Sequence, residues 1–418
     1  MDQQDVRMLA WTIHELAGLK SLEVGLLVRK DDWFGIGSTL FFSCPSTVQK
    51  LAINIGERPY PPRAEDIYPD TRWTHTLSNN AEDELWSTTA FRRQEHLTQL
   101  VDLTLWDMDT AASVQDIFTV LWHCRNVEKL LLPRMTGRSE SDDVLPYRVM
   151  GAMCGQRLEE LNCRGSRHAL ELPLAATLFQ RHSDTLRQLT FEGCGSVDSK
   201  TIVIILNECK ALEDLSVHGS YASCLRLADA VSMDWASAKV IRLSLTIGFT
   251  DLQTLYQEQE PYYRRRQPLN LFAEETRQFE LLERFYRQIG VLVQLQFLDL
   301  RVKYFHAHGN PINKPYSAAT FPGLFSVGDK RTDRPGYLQL LAGLTKLKEL
   351  RGSVSANTDE AKVTMGWKEV VFMDEVFSNL RVAEFFSEGA PLRPPFQWLQ
   401  EQRRDGCPPL SLTGRAGS

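Results

Sequence analysis

One phrase recurs along this 418-residue chain: apolar, x, x, apolar, x, apolar. It stands at Leu19-Leu22-Val24, Val48-Leu51-Ile53, Leu100-Leu103-Leu105, Val127-Leu130-Leu132 and Leu158-Leu161-Cys163. It continues at Leu186-Leu189-Phe191, Leu212-Leu215-Val217, Val240-Leu243-Leu245 and Leu295-Leu298-Leu300, with weaker copies at Leu347-Leu350 and Leu380-Ala383-Phe385. First positions are separated by 29, 52, 27, 31, 28, 26, 28, 55, 52 and 33 residues. Chance does not place six copies in succession from Leu100 to Val240, so one structural unit is being repeated.

The last two apolar positions alternate with period two, which predicts a short strand with one buried face. The segment after each strand has helical period. Val114, Ile117, Phe118, Leu121 and Trp122 share one face of 111–124, and Ile202, Ile205 and Leu206 share one face of 199–209. A strand–loop–helix unit cannot bury its apolar face alone, so neighbours must stack. The predicted fold is α/β: a leucine-rich-repeat solenoid, or horseshoe, over 1–395, with parallel strands on the concave face and helices on the convex face. Residues 396–418 have little to bury and are expected to form a disordered tail.

Three stretches interrupt the array. Residues 56–95 are Pro-rich and charged at their start, with room for a strand near Trp73 or Leu85. Residues 250–290 end in an amphipathic pattern of Phe279, Leu282, Phe285, Tyr286 and Ile289. Residues 303–336 hold two loop-like stretches around one weak repeat.

Composition narrows the classes. The chain is 43% hydrophobic and 24% charged, with net charge −6, which argues against a phosphate-binding surface over the whole protein. No run of apolar residues is long enough to span a membrane, and the start lacks a signal-peptide pattern. Eight cysteines with no C-x-x-C fit free buried thiols in an intracellular protein, cytoplasmic or nuclear. Cys44, Cys154, His96 and His182 precede a repeat start by four residues, and Cys124 and Cys209 by three. Spaced by the repeat, they are expected to stack at the turns into the strands and not to converge on a metal. His306 and His308 read as a solvated loop, and "YYRRR" at 262–266 as a solvated insertion. Trp106, Trp122 and Trp235 read as packing residues. No cofactor, metal or catalytic residue is expected.

The phrases "HCRNVEKLLLPRM", "CGQRLEELNCRG" and "CKALEDLSVHG" resemble the cysteine-containing leucine-rich repeats of F-box proteins, in the degenerate style of the large sets predicted in fungi. The resemblance covers 15–390 by repeat phase. It implies a substrate held by the repeats and an F-box helix bundle bound to a Skp-type adaptor of a cullin ubiquitin ligase. The 18 residues before Leu19 do not accommodate an F-box, so the adaptor is implied only if a box lies upstream.

Residues between the buried template positions should face the concave side. They are Asp102, Thr104, Trp106, Lys129, Leu131, Glu160, Asn162, Arg164, Gln188, Thr190, Glu192, Asp214, Ser216, His218, Arg242, Ser244, Thr246, Phe297, Asp299 and Arg301. Mixed charge with a few aromatics suits a protein partner. The expected function is substrate recognition in an F-box-type ligase context. The alternatives are a stand-alone scaffold or ribonuclease-inhibitor-like binder, and, more remotely, an enzyme with its site in the insertions.

Overall fold

The computed structural model describes residues 3–28, 40–41, 43–57, 97–106, 124, 126–132, 157–164, 172–194, 197–218, 223–250, 273–305, 311–312, 325, 327–329, 334–353 and 367–386. The chain divides into two compact units, 1–168 and 169–418.

The first unit opens with helix α1 (Gln3–Glu15), followed by strands β1 (Ser21–Val28), β2 (Lys50–Glu57), β3 (Asp102–Trp106), β4 (Lys129–Leu132) and β5 (Glu160–Arg164). These strands pair in parallel and in sequence order, with Leu22, Leu51, Leu103, Leu130 and Leu161 aligned as successive partners. The centre of the repeat phrase is therefore the centre of the ladder. Any slip by one residue would turn a whole buried set to the other face, so the apolar phase specifies this register.

The second unit holds α2 (Leu172–Arg181), β6 (Gln188–Glu192), α3 (Ser199–Glu208), β7 (Asp214–His218), β8 (Leu225–Arg226), α4 (Leu227–Ala230), β9 (Arg242–Thr250) and α5 (Ala273–Gly290). Then come β10 (Phe297–Phe305), β11 (Pro311–Ile312), β12 (Gly328–Asp329), β13 (Arg334–Pro335), a 3-10 turn at Leu338–Leu341, β14 (Glu349–Ser353), α6 (Trp367–Val376) and β15 (Val382–Phe386). Leu189, Leu215, Leu243, Leu298, Leu350 and Ala383 align across β6, β7, β9, β10, β14 and β15, all parallel. Short β8 runs parallel to the end of β9, β11 folds back antiparallel on β10, and β12 and β13 form a separate antiparallel pair.

The template positions whose side chains are described are buried in every rung except the first, where Leu19 and Leu22 are half-buried. Each fully buried Leu or Val contributes about 1.5–3 kcal/mol of hydrophobic stabilisation. A second device repeats with them. At β2–β5, β7, β9, β10, β14 and β15 the two N–H groups after the first template residue both donate to one carbonyl of the preceding rung. Lys20, Gln49, Val101 and Glu128 accept in the first unit, and Arg187, Glu213, Ile241, Gln296 and Lys348 in the second. The starts of these strands are thereby tied to their neighbours before the regular ladder begins.

Direct strand pairings span the long intervals. β2 pairs with β3, β9 with β10, and β10 with β14, each in register, so no further rung lies between them. Trp73 and Leu85 lie outside the described residues. The latter part of 250–290 is α5 itself. Phe279, Leu282, Phe285, Tyr286 and Ile289 are all buried, so this "insertion" supplies the helical layer between β9 and β10. The interruption expected from 303 begins inside β10, which runs to Phe305. The predicted helix at 199–209 is present as α3, with Asp198 capping it: its Oδ1 accepts from the N–H of Thr201 at 2.8 Å. The helix expected over 111–124 lies outside the described residues apart from buried Cys124, and so does the tail at 396–418. Among the described residues, no helix is long and apolar enough to cross a membrane.

Candidate functional site

Side chains alternate along each strand, so the residues between the buried leucines line the opposite sheet face in columns. In the first unit one column reads Lys50, Asp102, Lys129, Glu160, alternating in sign. Lys50 Nζ lies 3.8 Å from Asp102, and Lys129 Nζ 3.4 Å from Glu160. The next column holds half-buried Thr104, Leu131 and Asn162. Trp106 and Arg164 end β3 and β5, and their side chains fall outside what the structure describes.

In the second unit, one column carries Gln188, Asp214, Arg242, Phe297 and Glu349. Beside it run Thr190, Ser216, Ser244, Asp299, Arg351 and Glu384. Beyond those stand Glu192, His218, Thr246 and Arg301. Phe297 is the centre of the face. The Arg242 guanidinium lies 4.3 Å from its ring centroid and that of Arg351 5.5 Å, from the strands on either side. Each of these arginines is also paired: Arg242 to Asp214 at 3.2 Å, Arg351 to Glu349 at 2.8 Å and to Glu384 at 3.1 Å. Exposed pairs of this kind contribute about 0–1 kcal/mol each, so they align and neutralise the face more than they stabilise it.

Three of the residues expected on an accessible face are buried: Ser244, Thr246 and Asp299. Two of the three, Ser244 and Asp299, lie in polar pairs. Ser244 Oγ lies 2.8 Å from His218 Nε2, and Arg301 donates twice to the Asp299 carboxylate, at 3.1 Å and 3.0 Å to Oδ2. A buried carboxylate requires such a cation. Gln188, Thr190, Asp214, Ser216, His218 and Phe297 are half-buried, and Glu192, Arg242 and Arg301 exposed. Sequence reasoning missed Glu349, Arg351 and Glu384. Applying the template to the weak copies "LKELRG" and "LRVAEF" would have found them.

The described thiols before the strands are held in the core. Cys44, Cys124 and Cys209 are buried, and burial pushes Cys44 and Cys209 up to about 12 and Cys124 higher still. Cys44 Sγ donates to the Leu40 carbonyl at 3.3 Å. His182 is buried at the equivalent turn, where its carbonyl accepts from the N–H groups of Thr185 and Leu186. Cys154, His96, His306, His308 and 262–266 lie outside the described residues. Among the described residues, no three His, Cys, Asp or Glu side chains converge as a metal site. Trp235 packs edge-on against Phe285 and donates to the Ala230 carbonyl at 3.1 Å. Neither protein-family models nor curated proteins match the sequence.

Proposed function

We propose that the chain is a leucine-rich-repeat horseshoe whose polar sheet face binds a protein, as the substrate-recognition part of an F-box-type ubiquitin ligase. The in-register stacking of one repeated phrase supports the fold. The Arg242–Phe297–Arg351 arrangement supports the binding mode: an aromatic anchor held between two oriented cations, ringed by paired charges, matches the composition of protein-interface centres. The paired charges disfavour a nucleic-acid backbone, which calls for uncompensated Lys and Arg. The ligase context rests on the repeat resemblance alone. Work on this face is non-covalent, with no cofactor and no residue in a catalytic role.

Affinity capture from cells, compared between the native chain and Phe297→Ala or Arg242→Glu, tests the face. The same partner should be recovered at least about tenfold less well with either variant. Unchanged recovery sinks the assignment. Co-purification of a Skp-type adaptor with the full-length chain tests the ligase context separately.

A further inference from the structure

Arginines on the sheet face of the second unit are paired with carboxylates, but the cations along the edge where the chain turns into its strands are not. In the rungs of β9, β10, β14 and β15 the residue before the first template position is Lys239, Gln294, Lys346 and Asn379 in turn. The residue after it is Ile241, Gln296, Lys348 and Arg381. No carboxylate stands at any of these places, whereas β7 has Glu213 there and, in the first unit, β4 and β5 have Glu128 and Glu159. Lys239, Lys346, Lys348 and Arg381 are exposed, and among the described residues none of them meets a carboxylate. The backbone joins them into a strip. The N–H of Arg381 donates to the Lys348 carbonyl at 2.7 Å, and the Lys346 ammonium reaches the neighbouring rung, 2.5 Å from Gln294 Oε1. Like charges on adjacent strands are destabilising, so a chain of net charge −6 sustains here a cluster that its own fold does not require.

Two exposed valines border the strip. Val291 (71%) and Val293 (50%) share the turn from α5 into β10, closed by the Val293 N–H on the Val291 carbonyl at 2.9 Å. Val293 directly precedes Gln294, which places the Lys346 ammonium near it. The turn itself does not demand valine, since Thr345 and Ser378 occupy the equivalent place before β14 and β15.

We propose that this edge binds an acidic, hydrophobic segment of a partner protein. Its Asp or Glu side chains meet Lys346, Lys348 and Arg381, and an apolar side chain covers the two valines. Unpaired cations select the sign of the occupant. The valines select its class. A nucleic-acid backbone has nothing apolar to set against them, and a single strand calls for aromatic platforms that these positions lack. An anionic membrane calls for larger apolar side chains that enter below the headgroups.

Fluorescence anisotropy of a labelled peptide alternating Glu and Leu, titrated with the full chain, reads this binding. Counterparts alternating Lys and Leu, or Glu and Ser, should bind at least about tenfold more weakly. Joint replacement Lys348→Glu and Arg381→Glu should weaken binding of the Glu-Leu peptide by about tenfold or more, and Val293→Ser by a smaller factor. Lys346→Glu should act in the same direction and stands in if the double variant does not fold. Lys200→Glu makes the same charge change at an exposed position of α3 and should leave binding unchanged. So should Phe297→Ala, which separates this edge from the sheet face. The proposal is overturned if the native chain does not bind the peptide, or if Lys200→Glu or Phe297→Ala loses as much as the double variant. Tighter binding of oligothymidylate or of phosphatidylserine vesicles than of the peptide overturns it as well.

Discussion

Cys209 sits where the chain turns from α3 into β7, fully buried, with its thiol directed at the Phe179 carbonyl 4.0 Å away. Burial, with a smaller contribution from the charge of Glu208, pushes its pKa from 9.0 up to about 12. The thiol is therefore neutral in the folded chain at any physiological pH, and a neutral thiol is a poor nucleophile. The shift also has a thermodynamic sign. Above pH ~9 the unfolded thiol ionises while the folded one stays protonated, so the unfolded state binds fewer protons. Stability should fall as pH rises from about 9 to about 12. Replacing Cys209 by Ala should flatten that fall, read as denaturant midpoints at successive pH values. An equal slope in both proteins would mean that the thiol ionises as readily folded as unfolded. Gly352 shows a different constraint. Its φ of +151° and the approach of the Leu300 carbonyl to the space a Cβ would fill leave glycine as the residue that fits there.

At the scale of elements, α5 carries a cluster of aromatic contacts. Phe285 meets Trp235 and Tyr286 edge-on, and Tyr286 stacks on Tyr337 at 5.1 Å. At the end of the helix, Gly290 lets the backbone at Leu340 come close, which seats the 3-10 turn beside it. Phe285→Ala should cost about 3–5 kcal/mol, read from urea unfolding, because it empties an aromatic site whose walls are themselves aromatic. A loss under ~1 kcal/mol would place Phe285 outside the core. This helix was legible in the sequence, since its five apolar residues keep helical period over eleven positions. The strands were legible for the same reason, through period two. What escaped was work done by the backbone. The shared carbonyl at these strand starts leaves no side-chain signature, because residues as different as Lys20, Val101 and Ile241 all serve. Burial of Ser244, Thr246 and Asp299 also escaped, because a polar residue between leucines reads as exposed; for Ser244 the partner, His218, sits on the next strand.

For the molecule as a whole, a stack of rungs distributes stability by neighbours: each strand gains from the two it touches, and an edge strand from one. The long intervals read in the sequence as interruptions with room for a further strand, because a repeat count alone cannot separate a lost copy from inserted chain. Direct pairing of β9 with β10 over nine positions settles that interval, and it makes this pair the longest continuous ladder in the second unit. Among the described residues, β15 pairs over five positions with β14 alone. Hydrogen exchange followed by mass spectrometry should therefore find the amides of Arg242–Thr250 and Phe297–Phe305 that bond between these strands among the slowest in the unit. Those of Val382–Phe386 should exchange faster by orders of magnitude, since end rungs open at little cost while interior ones require two interfaces to part. Phe297→Ala should leave that order intact if its ring serves binding at the face. Loss of protection across β9 and β10 in that variant would instead show that the Arg242–Phe297–Arg351 arrangement holds the ladder together.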